Sequence, residues 1–188
     1  GQVESDDVII NFSANETFYP DKRPFFTENQ SLFDITGWDL RFINTRRIGG
    51  APDKCSESNE AHLGECDSSI SDTSDINYAL RYTKEGQINK YGFFMANEDD
   101  SLFSEGRDYF AFRYKANLSK NSGKVGYLTT SVNRPSIDRK AMANVIDFDF
   151  KPSFASRLYG WAGEIDIKEK GVQKKGYGFK TNYTVRVT

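Results

Sequence analysis

The sequence predicts an all-β protein, an antiparallel up-and-down meander of about nine long strands, and three observations carry that prediction. Apolar and polar residues alternate with a period of two along most of the chain, which marks strands with two unlike faces. Aromatic residues reach 14%, with ten Tyr and fifteen Phe, although hydrophobic residues overall make up only 37%. Such side chains favour strands, and a disordered chain would be poor in them. Short Gly-, Pro- and Ser-bearing segments separate the alternating runs and read as hairpin turns.

Taken in order, a short strand is expected at residues 8–13. Trp38, Leu40 and Phe42 then alternate with Asp39, Arg41 and Ile43. Ile76, Tyr78, Leu80 and Tyr82 alternate with Asn77, Ala79, Arg81 and Thr83, and Tyr91, Phe93 and Met95 share a face of the next strand. Phe110, Phe112, Tyr114 and Leu118 form the apolar side of a run at 107–118, and a less regular strand follows around 124–133. Met142, Ile146, Phe148 and Phe150, then Tyr159, Trp161, Ile165 and Ile167, then Tyr177, Phe179, Tyr183, Val185 and Val187 complete the series. Turns are expected at "KEGQ", "SKNSG", "KPSFAS" and "EKGVQKKG".

The chain divides as one segment, 1–188. A strand–plug–strand region occupies 1–52, a polar loop 53–75 and the meander 76–188. In "YPDKRPFFTENQSLFD" (19–34), Pro20 and Pro24 argue against a ladder strand, while Phe25, Phe26 and Phe33 require burial. That stretch reads as a buried connection or plug. Cys55 and Cys66 flank "CSESNEAHLGEC", and a disulfide closing this loop is expected. His62, the one histidine, does not complete a metal set and reads as a surface residue.

A formal charge of −2 with interspersed signs excludes the basic footprint of a nucleic-acid binder. No apolar run approaches the ~20 residues of a spanning helix, but a barrel strand needs only ~9–11 and alternates. Two architectures therefore share this pattern: a soluble sandwich with its aromatics inside, and a membrane barrel with its aromatics outside and Arg41, Arg81, Arg113, Lys180 and Arg186 facing a wet lumen. Strands of about twelve residues exceed the ~5–6 usual in globular sheets and suit a barrel wall.

No catalytic residue is assigned. Asp147, Asp149, Glu164 and Asp166 read as one inward face, with Asp147 pairing near Gly160. That leaves Glu164 roughly 13 Å away, beyond the ~5–9.5 Å of a glycosidase pair. Glu98, Asp99, Asp100, Glu105 and Asp108 lack the spacing of a calcium loop and read as a solvated hairpin tip. Arg46 and Arg47 in "NTRRIGG" admit two roles, an anion or uronate contact or a clamp on Glu28 or Asp34; the clamp is preferred, because a buried Arg needs a carboxylate. Arg46, Arg47 and Glu28 are the candidate ligand-binding residues. No cofactor or metal motif is present.

"GQVESDDVIINFSANETFYPDKRPFFTENQSLFD" with "LRFINTRRIGGAPD" resembles a run in a largely uncharacterised bacterial family, typically "NPDFGQVE…ETFFPEKRPFFLEG…LFYSRRIG". A weaker match lies in "TTSVNRPSIDRKAMANVIDFDF" (129–150). Members of that family carry a secreted domain similar to family 9 carbohydrate-binding modules, followed by a long outer-membrane-barrel-like region. The resemblance implies that Gly1 is an internal position, that such a domain precedes it and that more strands follow residue 188. It carries over no catalytic residues. With it, the expectation becomes a segment of an outer-membrane β-barrel at a Gram-negative cell surface. Such a segment would be non-enzymatic, meet outer-membrane lipid and other protein chains, and bind or pass a glycan or other nutrient. A soluble carbohydrate-binding sheet and a polysaccharide hydrolase are the alternatives.

Overall fold

A computed structural model describes residues 22–35, 42–53, 73–101, 104–118 and 122–186. Seven strands form one antiparallel sheet in chain order: β1 (Ile76–Glu85), β2 (Asn89–Glu98), β3 (Asp108–Asn117), β4 (Gly123–Arg134), β5 (Arg139–Ser153), β6 (Ser156–Glu169) and β7 (Val172–Val185). The meander is as expected; among the described residues the sheet has seven strands, against about nine expected for the chain. Residues 8–13 lie outside the described residues, as do Trp38, Leu40 and Arg41. Phe42 and Ile43 are described and are not in the sheet. They pack down onto its core, which a ladder strand would not allow.

The long strands are closed by tight turns. β6 and β7 meet at Lys170 and Gly171, whose φ values of 48° and 77° are those of a type I′ turn, the form that matches strand twist. β4 and β5 are joined through a 3-10 turn at Pro135–Ile137, ending on left-handed Asp138.

The two faces of the sheet differ in kind. One is covered by residues 22–35 and 42–53 and carries Phe94, Ala96 and Glu98 of β2, Ala111 and Arg113 of β3, Leu128 and Thr130 of β4, and Ala143, Val145 and Asp147 of β5, all buried. Phe26 and Ile48 of the covering segment pack on Phe94, Ala96 and Ala111, and Ile35 packs on Leu128 and Val145. The opposite face is bare and apolar. Leu80, Tyr82, Phe110, Tyr114, Ile146 and Tyr183 are exposed there; Ile146 is 59% exposed and Phe179 80%.

β6 departs from the sequence reading. Ser153 opposes Ser156 at the turn, but a bulge follows, and Asp147 pairs with Trp161 rather than near Gly160. Because side chains alternate, a one-residue shift exchanges the faces of a strand. Trp161 therefore points under the covering segment, with its ring 6.0 Å from Phe42. Glu164 lies opposite Asn144 and Asp166 opposite Met142, on the bare face, away from Asp147 and Asp149. The four carboxylates do not share a face.

Candidate functional site

The covering residues, 22–35 and 42–53, form a plug held largely through its backbone. Pro24 starts a single turn, α1 (Pro24–Thr27), at a position where a missing N–H costs nothing. Arg23, just before it, stacks over Phe26 at 4.0 Å and donates to the carbonyls of Thr45 (2.7 Å) and Ile48 (2.8 Å). One guanidinium thus ties the two arms of the plug together.

Cations of the sheet reach up to the same backbone. Arg81 donates to Phe25 O at 2.8 Å, and Lys115 Nζ donates to Ser31 O and Asp34 O at 3.2 and 3.1 Å. Arg113 Nε donates to Leu32 O at 3.2 Å while its Nη atoms engage Asp147 at 2.6 and 2.9 Å. Arg157 donates paired hydrogen bonds to Asp149, both 2.8 Å long.

A second charged cluster sits where the plug ends. Arg107 donates to both oxygens of Glu98 and, at 3.3 Å, to Asp53; Arg134 grips Asp53 from the other side at 2.7 and 3.0 Å. Glu98 and Asp53 are almost fully buried. Glu98 also accepts from Gly49 N–H at 2.7 Å and from the Tyr109 hydroxyl at 3.2 Å. Charges buried in this way persist only when paired and hydrogen-bonded.

Between this cluster and β3–β5 lies a cavity of about 250 Å³, lined by Phe42, Arg47, Arg107, Tyr109, Arg134 and Arg139 among others. Arg47 is therefore at a cavity wall, and Arg46 shares its 3-10 turn (Thr45–Arg47). Glu28 is the C-cap residue of α1. Arg23 joins the two arms through backbone carbonyls rather than through a carboxylate. Glu98, read as part of a solvated tip, is the buried anion instead. Cys55, Cys66 and His62 lie outside the described residues. Among the described residues no cluster of three His, Cys, Asp or Glu could hold a metal ion.

The sequence reading missed Arg107, Arg134, Arg139, Tyr109 and Asp53. A signal existed, since Arg134 and Arg139 lie in the "NRPSIDR" part of the weaker matching stretch. These features define a class: a plugged antiparallel sheet with an arginine-lined cavity at the plug's end. A family described as "Domain of unknown function (DUF5916)" matches residues 1–84, which take in the plug and most of β1. No curated protein and no solved structure matches the chain.

Proposed function

We propose that this chain is a piece of the wall and plug of an outer-membrane β-barrel, in a non-enzymatic Gram-negative surface protein that binds or passes a glycan or another nutrient. A carbohydrate-binding domain on its N-terminal side belongs to the same reading, as does lipid against the bare face.

The observation that carries it is the slope of the apolar band on the bare face. On β2 and β3 the band centres on Phe93 and Phe112, which oppose each other. That row continues through Thr129 and Asn144 to Glu164, so on β6 it has become polar. There the apolar centre is Gly160, covered by Phe148, with Leu158 beyond it. Four residues of rise are roughly 13 Å, and four strand spacings roughly 19 Å, a slope of about 35°. Barrel strands tilt by about 35–45° to the membrane normal, so a level lipid layer would trace such a diagonal. Asp166, off the band, is answered by Lys175 and Gln173.

A hydrolase reading finds little support. Asp147 and Asp149 are both committed to arginines, and Glu164 and Asp166 lie on the other face. Detergent dependence tests the proposal. The purified chain should need detergent or lipid to stay monodisperse with ordered β signal. A monodisperse, folded chain without either would overturn it in favour of a soluble binding sheet.

A further inference from the structure

We infer that the cavity at the end of the plug is an oxyanion site, taking a carboxylate or sulfate group carried on a sugar-sized molecule, with Arg139 as its principal cation. The inference deepens the plugged-barrel reading by naming a ligand class, and it rests on that reading only for the route by which the ligand arrives.

The cavity of about 250 Å³ has Arg47, Arg107, Arg134 and Arg139 on its walls. Three are spoken for: Glu98 and Asp53 bind Arg107, Asp53 binds Arg134, and Arg47 has a partner of its own. Arg139 is not. Its register partner on β6 is Glu169, yet no ion pair joins them, and Arg139 makes none among the described residues. On β4 its partner is Arg134 itself. Like charges directly opposite on paired strands repel. The Pro135–Ile137 turn joins the two positions directly, so the strands cannot part to relieve the repulsion.

Asp53 answers Arg134 from the plug side, which leaves Arg139 as the surplus cation facing the space. Phe42 and Phe94 form an apolar part of the wall, where a guanidinium–oxyanion hydrogen bond is stronger than in water. The buried Thr130 is also on the wall and offers a hydroxyl to a polar ring. An oxyanion beside Arg139 would offset its repulsion with Arg134, the role that Asp53 already performs for Arg134 and Arg107.

Calorimetric titration of the full chain with glucuronate, glucose 6-sulfate and neutral glucose tests this. At least one of the two anions should bind about tenfold or more tightly than glucose, as one charge-assisted hydrogen-bond pair would give. Which of them binds assigns carboxylate or sulfate. Arg139→Gln should lose that preference while keeping the wild-type circular dichroism, Arg139→Lys should keep part of it, and added chloride should weaken the anion's binding to the wild type. The inference is overturned if neither anion binds better than glucose, or if Arg139→Gln binds like wild type. Should Arg139→Gln not fold, an anion preference insensitive to chloride overturns it just as well. Anion binding by a chain that proves soluble without detergent would remove the barrel reading and leave this site standing.

Discussion

Arg113 donates two hydrogen bonds to Asp147, 2.6 and 2.9 Å long, across the bare backbone of Gly126. A Cβ at Gly126 would come within 2.5 Å of Asp147 Oδ1 and 2.8 Å of both Arg113 Nη atoms, so the pair needs a glycine beneath it. Arg113 is 0% exposed and also holds Leu32 O, so this contact fastens wall to plug.

Asp147→Asn leaves the Arg113 charge buried without a counter-charge. Breaking a buried pair from one side costs about 3–5 kcal/mol, so the urea midpoint should fall steeply. Replacing both partners together, as Arg113→Met with Asp147→Leu, should recover most of that loss. A single-mutant cost well below about 1 kcal/mol would show that water reaches the pair.

Arg23→Ala removes two hydrogen bonds to carbonyls and the stacking on Phe26. Hydrogen bonds to charged groups contribute about 1.5–3 kcal/mol each, so the two plug arms should separate readily. Limited proteolysis should then cut within residues 22–35 while β2–β6 stay protected. Unchanged resistance there would mean that the sheet's cations and the packing of Phe26 and Ile35 hold the plug without Arg23.

Ile146→Arg probes the bare face at the centre of the sheet. Against lipid, an added arginine at mid-depth costs about 2–4 kcal/mol; in water a surface change stays within about 0.5 kcal/mol. Asn144→Arg, two residues along and below the apolar band, should cost much less. Equal effects at the two positions would remove the diagonal band as a membrane footprint.

Much of the sheet was legible because strands write themselves locally. The alternations at 76–83, 107–118 and 175–187 placed β1, β3 and β7, and "EKGVQKKG" held the Lys170–Gly171 turn. Pro24 and the neighbouring phenylalanines marked the plug. The charged contacts were not legible, since Glu98 reads like its neighbours Asp99 and Asp100 until Arg107, Gly49 and Tyr109 converge on it. Arg23 could not be singled out for the same reason: a clip is defined by what lies opposite, 22 and 25 residues away.

By itself, the sequence determined that this chain makes long strands with one aromatic face and one face of small and charged residues. A period of two creates two faces but does not say which is covered, and it carries no register between strands. The tertiary structure decided both. The plug lies on the small and charged face, where Arg113, Lys115 and Arg81 can bind its carbonyls. A bulge between Phe150 and Ser153 moves β6 by one residue, turning Trp161 inward and Glu164 outward. Pairing energy is shared across strands, so only the assembled sheet fixes the side on which each residue falls.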